Sequence, residues 1–316
     1  MTGALAMPIS VPPVSAANAP KTSYRPSSSP DIDTRVVNGK PTSISTVSYY
    51  AGILSVGVSN PYFAQYCGGT VVSNRHVITA AHCVTGTDSV DVLLGSDDLV
   101  AGEGRRIRSR RITVHPGWNP GTFRNDIAVV ELRRDANVEP ALVSSNRTNN
   151  FWEPGDRARV SGFGCRDWDI GGGCATYPTH LRTGRLRLRS YRTCRNALGS
   201  NFHADTMTCA GNASGSGTAV DSCAGDSGGP LVSTGPGGPL LGGIVSWGVE
   251  CGLLPGAYTR VAQYSTFLAQ NGVPVFGSSY WLVAADGGVF AYGDAPYLGS
   301  LGNTSLASRI VGITVG

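Results

Sequence analysis

Gly184-Arg185-Leu186-Arg187-Leu188-Arg189 alternates at every step. Successive side chains of a strand point to opposite faces, so Leu186 and Leu188 share a buried face while Arg185, Arg187 and Arg189 face solvent. The same texture extends in both directions. Upstream lie Ala51-Gly-Ile-Leu-Ser-Val, Thr70-Val-Val, His76-Val-Ile-Thr-Ala, Val90-Asp-Val-Leu-Leu, Ile127-Ala-Val-Val-Glu-Leu and Arg157-Ala-Arg-Val; downstream lies Leu240-Leu-Gly-Gly-Ile-Val. Many short apolar runs cut by Gly, Pro and Asn read as an all-β sandwich or barrel. The 43 glycines and the 15% share of charged residues favour the same class over a helical bundle. One helix is expected, at Val261-Ala-Gln-Tyr-Ser-Thr-Phe-Leu-Ala-Gln, stopped by Gly272 with Pro274 beyond.

Charge narrows the function. A formal net charge of +4 over 316 residues is too mild to argue for nucleic acid or a membrane surface. The run Arg105-Arg-Ile-Arg-Ser-Arg-Arg reads as a strand with a solvated arginine face, because no aromatic residue interleaves it for base stacking. No stretch reaches the roughly 18 apolar residues of a membrane-spanning helix. The 8 cysteines all lie between Cys67 and Cys251. Zinc would need close pairs such as C-x-x-C, which are absent, so disulfides and an oxidising compartment are expected. Residues 1–20 are apolar and small-rich, with Ala17-Asn18-Ala19 resembling a signal-peptidase site, but Pro8, Pro12 and Pro13 interrupt the apolar region. Residues 20–34 are rich in Pro, Ser and Thr and lack periodicity. Ordered patterning begins near Val36.

Three motifs carry the chemistry. Thr79-Ala-Ala-His82-Cys83 comes first, Asn125-Asp126-Ile-Ala-Val-Val-Glu-Leu second, and Gly225-Asp226-Ser227-Gly228-Gly229-Pro230 third. A serine hydroxyl is a weak nucleophile at its own pKa and needs an adjacent base. His82 can be that base near neutral pH and then protonate a leaving amine. Asp126 would fix the imidazole tautomer and stabilise the imidazolium. In this order the three segments closely resemble the chymotrypsin/trypsin-like serine proteases, over about residues 36–272. The resemblance implies two six-stranded antiparallel Greek-key β-barrels with a C-terminal helix. It also implies a serine endopeptidase with His82, Asp126 and Ser227 as catalytic residues. The amides of Gly225 and Ser227 would form the oxyanion hole.

The resemblance reaches further residues. Asp221, six before the nucleophile, would lie at the base of the primary pocket, whose walls are Ser246-Trp247-Gly248 and Pro255-Gly256-Ala-Tyr258. A buried carboxylate without a partner is costly, so the pocket should take Arg or Lys, and Gly248 and Gly256 leave room for a long side chain. Arg35-Val36-Val37-Asn38-Gly39 resembles an activation site. Cleavage after Arg35 would free the Val36 amine to pair with Asp226, and since Arg35 suits the Asp221 pocket, self-activation is expected. The disulfides implied are Cys67–Cys83, Cys194–Cys209 and Cys223–Cys251; Cys165 and Cys174 remain and would close a local loop. No metal or other cofactor is expected. Calcium-binding members carry acids where this chain has Ser96 and Arg106, although Asp97, Asp98 and Glu103 lie nearby.

The expected partners are protein or peptide substrates with Arg or Lys before the scissile bond, and protein protease inhibitors, in an extracellular setting. The alternative is a non-catalytic binding or adhesion protein on a protease fold; such proteins usually lack part of the triad, and this chain keeps all of it. The division expected is a signal-like segment and propeptide at 1–35, a protease domain at 36–272 and a short tail at 273–316. In the tail, Tyr280-Trp-Leu-Val-Ala-Ala-Asp-Gly-Gly-Val-Phe-Ala-Tyr-Gly-Asp-Ala reads as one hairpin around Asp286-Gly287-Gly288. It resembles a repeat found in tandem in secreted proteins of actinobacteria.

Overall fold

The computed structural model describes residues 36, 39–145, 152–169, 173–211, 219–235, 237–275 and 279–293, together with 299–302, 304–306, 308 and 310. The signal-like segment and Arg35 lie outside the described residues. Strands β1 (Tyr50–Leu54), β2 (Gln65–Val71), β3 (His76–Thr79), β4 (Asp91–Leu94), β5 (Arg105–Val114) and β6 (Ala128–Leu132) close a barrel in the order β1-β2-β3-β6-β5-β4. Every pairing in it is antiparallel. The arginine-rich run forms β5, where Arg106 and Arg108 pair with Asp91 and Arg110 and Arg111 pair with Glu131.

A second set follows: β7 (Arg157–Gly162), β8 (Arg182–Arg187), β9 (Met207–Ala210), β10 (Pro230–Gly235), β11 (Gly238–Trp247) and β12 (Gly256–Arg260). These pair antiparallel in the order β8-β7-β10-β11-β12-β9. The two ends of this sheet meet just past β8. Leu188 bridges Ala210, the Arg189 N–H donates to the Cys209 carbonyl (3.0 Å), and the Gly211 N–H donates to the Arg187 carbonyl (3.1 Å). Counted from its own first strand, the second barrel repeats the cyclic order of the first. Lys40–Pro41 extends it along β8, and Leu142–Val143 lies parallel to β11.

The opening alternation is the seam of this second barrel. Leu186 and Leu188 are buried with Val160, Leu231 and Tyr258, while Arg185 and Arg187 are exposed. Arg189 is only half-buried, because its Nε donates to the Gly211 carbonyl (2.6 Å) at the closure. The expected C-terminal helix is present but divided: Val261–Tyr264 is a 3-10 turn and Ser265–Gln270 is α-helical. The Ser265 hydroxyl donates to the Ala262 carbonyl (2.9 Å) at that junction, a local bond that competes with helical pairing. A second helix, Tyr191–Leu198, was not anticipated; it is capped by Ser190, whose hydroxyl accepts from the Thr193 N–H (3.2 Å). In the tail, Ser279–Val283 and Val289–Gly293 pair as the expected hairpin. Its turn is tied by the Gly288 N–H donating to Asp286 Oδ1 (2.9 Å).

Candidate active site

His82 sits in the short helix Ala81–Val84 that leaves β3, and Asp126 sits two residues before β6. The antiparallel pairing of β3 with β6 brings the two segments together. Asp126 is fully buried and its carboxylate is satisfied by three donors. The His82 N–H donates to Oδ1 (2.9 Å), His82 Nδ1 lies 2.8 Å from Oδ2, and the Ser246 hydroxyl donates to Oδ2 (2.5 Å). The Thr259 hydroxyl holds the Asp126 carbonyl (2.7 Å). Backbone and ring of His82 are therefore fixed by one carboxylate, which assigns the proton to Nδ1 and leaves Nε2 as the basic atom.

Ser227 lies on a turn that only glycine neighbours permit. Gly228 has φ +77°, and a Cβ there would lie 2.2 Å from Thr79 Oγ1 and 2.5 Å from the Gly68 carbonyl. The Ser227 carbonyl accepts from the Gly68 N–H (2.7 Å). Gly68 adjoins Cys67, and Cys67 is bonded to Cys83, the neighbour of His82. The turn is thus laced to the histidine helix from the opposite barrel. Among the described residues no hydrogen bond joins Ser227 Oγ to His82 Nε2, whose recorded contact is Cys83 Sγ at 3.7 Å.

Asp221 is 3% exposed. Its Oδ1 accepts from the Ser222 N–H (2.8 Å) and its Oδ2 from the Gly252 N–H (3.1 Å). Burial nonetheless pushes its carboxyl up to about 7, partly opposed by those two donors and aided by the charge of Asp226. The two glycines face one another across this acid. A Cβ on Gly248 would lie 3.8 Å from the Gly256 Cα, and one on Gly256 would lie 3.3 Å from Asp221 Oδ1. Ser246, expected on the pocket wall, directs its hydroxyl to Asp126. Trp247 packs on Phe123 (6.5 Å between ring centroids), which meets Trp118 (5.7 Å) and the His82 ring (5.9 Å). Phe123 and Trp118 were missed in the sequence; two aromatics in the eight residues before the Asn125-Asp126 motif were the available signal.

Asp226 is fully buried and accepts from the Gly164 N–H (2.8 Å) and the Cys223 N–H (3.0 Å). Burial raises its carboxyl to about 6, against those donors, and no cation pairs with it among the described residues. Val36 is buried against the second barrel's core, its carbonyl accepting from the Gly39 N–H. All four disulfides form with the expected partners, Cys165–Cys174 included. The Cys165–Cys174 hairpin leans on the pocket rim, where Trp168 Nε1 donates to Glu250 Oε2 (3.1 Å). Cys67, Cys83 and His82 cluster within metal-ligand reach, but both sulfurs are consumed by their own disulfide. Arg106, at the end of the 95–106 loop, donates to Asp91 Oδ2 (2.9 Å) and to the carbonyls of Val58 (2.6 Å) and Ser55 (2.8 Å), so a guanidinium supplies the positive charge there.

A closed six-stranded barrel and a second sheet whose end strands meet through the Leu188–Ala210 bridge make a chymotrypsin-like two-barrel fold. The Trypsin family profile matches residues 36–268, and the chain belongs to that family. It is 33% identical over 248 residues to Trypsin epsilon of Drosophila erecta, covering 77% of this chain and 89% of the relative. It is 31% identical to Trypsin-3 of Salmo salar (76% and 94% covered) and 32% identical to human Kallikrein-14 (77% and 86% covered). The enzyme is a hydrolase acting on protein or peptide substrates. Among the described residues no helix is long and apolar enough to cross a membrane.

Proposed function

We propose that this enzyme is a secreted endopeptidase that cleaves after Arg or Lys through a Ser-His-Asp acyl-enzyme mechanism and is made as a zymogen. The observation that carries the mechanism is the two-point docking of His82 on Asp126 (2.8 and 2.9 Å). With Nδ1 held, Nε2 accepts the Ser227 proton as Oγ attacks the scissile carbonyl. The imidazolium then protonates the leaving amine, and water repeats the sequence to release the acid. The amides of Gly225 and Ser227 stabilise the oxyanion. Four disulfides fit an oxidising, extracellular compartment.

Specificity rests on Asp221. A carboxylate forced to about 7 by burial gains most from a cation, and Gly248 and Gly256 leave the approach to it open. Activation rests on Asp226, a buried acid with amide donors and, among the described residues, no cation. Cleavage after Arg35 creates an α-ammonium at Val36, and its pairing with Asp226 would order the oxyanion loop. In this reading residues 36–272 are the protease, 1–35 precede it as signal and propeptide, and 273–316 are an appended tail. A peptide-library digest with the Ser227→Ala variant as control tests the specificity. Cuts after Arg and Lys are expected, and dominant cleavage elsewhere overturns it. The purified Ser227→Ala chain is expected to stay intact at Arg35; spontaneous cleavage there would refute self-activation.

A further inference from the structure

Gln65 opens strand β2 and is 1% exposed. Its Nε2 donates to the Cys67 carbonyl (3.1 Å) and to the Gly225 carbonyl (3.2 Å), the latter 160 residues along the chain. That second bond crosses from the first barrel to the nucleophile turn. Four consecutive carbonyls of the turn are anchored in this way. Ala224 accepts from the Cys165 N–H (2.7 Å), Gly225 from Gln65, Asp226 from the Gly229 N–H (2.8 Å) and Ser227 from the Gly68 N–H (2.7 Å). The N–H groups of Gly225 and Ser227, both half-buried residues, donate to no acceptor among the described residues. Backbone donors away from water are nearly always paired, so two uncommitted amides on a turn whose carbonyls are all held suit an acceptor that arrives with the substrate.

Peptide planarity explains how the anchors aim the donors. In a trans peptide the N–H opposes the C=O, so the Cys165 bond to the Ala224 carbonyl turns the Gly225 N–H away from Cys165. Gly225 is the soft joint: it has φ +93° and no side chain, so the planes on either side of it rotate unless both are pinned. Cys165 pins the first plane and Gln65 the second. Three of the four anchors are backbone amides, and Gln65 is the one side chain among them. We infer that Gln65 is a positioning residue of the oxyanion site, acting through the Gly225 carbonyl; this rests on the oxyanion role proposed above for the Gly225 and Ser227 amides. The Cys67 carbonyl holds the Gln65 amide in turn, and Cys67 is bonded to Cys83 beside His82, so one buried amide is tied to both the base and the oxyanion donors.

The test is Gln65→Met, which keeps the length of the side chain and removes the N–H. The variant and the unmodified chain are both cut after Arg35 by immobilised active enzyme. On an Arg anilide substrate kcat should fall about tenfold or more, while KM and the benzamidine Kd stay within about twofold. A peptidyl Arg trifluoromethyl ketone reads the oxyanion directly. Ser227 Oγ adds to the ketone carbon, its proton passes to His82, and the ketone oxygen becomes the anion. Affinity for it should fall by the same factor as kcat. An unchanged kcat overturns the inference, and so does an equal weakening of benzamidine, which would mark a general loosening of the pocket. Gln65→Leu takes the place of Gln65→Met if that chain does not fold. The unmodified chain separates the two readings. If it binds the ketone no more tightly than benzamidine, the oxyanion reading falls and the role of Gln65 with it. If it binds the ketone tightly and Gln65→Met binds it as tightly, only the role of Gln65 falls.

Discussion

Asp126 accepts three hydrogen bonds on two oxygens, and one of them comes from a residue the sequence places elsewhere. The Ser246 hydroxyl on Oδ2 (2.5 Å) helps aim the carboxylate at His82. Hydrogen bonds to a charged group are worth about 1.5–3 kcal/mol, so Ser246→Ala should lower kcat on the order of tenfold or more. KM for an Arg substrate should hold, since the residue acts through Asp126; a raised KM with kcat intact would return Ser246 to the pocket wall. Asp221 carries its own prediction. On the proposed specificity a guanidinium or amidinium ligand would bind the ionised acid, and that form is scarce below about pH 7. Benzamidine affinity should therefore weaken about tenfold from pH 8 to pH 6, with a proton released per ligand bound at the lower pH. Flat affinity over that range would mean the acid does not face the ligand. The pairing of His82 with Asp126 and the burial of Asp221 were legible because each stands inside a motif whose chemistry demands that residue type. The bond from Ser246 to Asp126, and Phe123 and Trp118, were not, because their partners come from strands or loops far apart in the chain.

At the scale of elements, the Arg/Leu alternation was readable as a strand because its period is two and its leucines share one face. Its special place was not readable. Closure of the second barrel depends on Leu188 reaching Ala210, a pairing between positions with no sequence signal linking them. Leu188 is 2% exposed at that seam. Leu188→Ala should cost about 2–5 kcal/mol, and more than the same change at an open sheet edge, because the cavity falls where the cylinder closes. Chemical denaturation of the Ser227→Ala background measures it; a loss below 1 kcal/mol would show that the seam is not stabilising. The helix Tyr191–Leu198 escaped notice because its short amphipathic stretch lies between strands and only Leu198 and the disulfide-bonded Cys194 are buried. The tail hairpin was legible for the opposite reason: its turn residues and flanking β-rich runs are contiguous.

Across the whole molecule, the proposed activation would couple a cut after Arg35 to Asp226, the buried acid next to the nucleophile in the chain. In the uncut chain Asp226 titrates near 6 instead of 3.8. Between those values the folded chain binds more protons than the unfolded one, so folding stability rises as pH falls through this window. The ionised acid costs the uncut fold on the order of 3 kcal/mol at pH 8, from about two units at 1.36 kcal/mol each. A Val36 ammonium beside it would reverse the sign. The paired carboxyl would fall below its unfolded value, so its stabilisation would be complete above about pH 4 and lost only in stronger acid. The amine would rise above its usual value of roughly 8, so its share would be lost only as pH rises through that raised value. Asp221 is raised chiefly by burial and in part by the charge of Asp226, so an ammonium that neutralises Asp226 would raise Asp221 less, a change in the same direction as the one at Asp226. The comparison is between the Ser227→Ala chain uncut and the same chain cut after Arg35 by a trace of active enzyme. From pH 8 to pH 5 the Tm of the uncut form should climb relative to the cut form. Parallel curves would break the link between Val36 and Asp226, and with it the zymogen reading, while leaving the His82–Asp126 site intact.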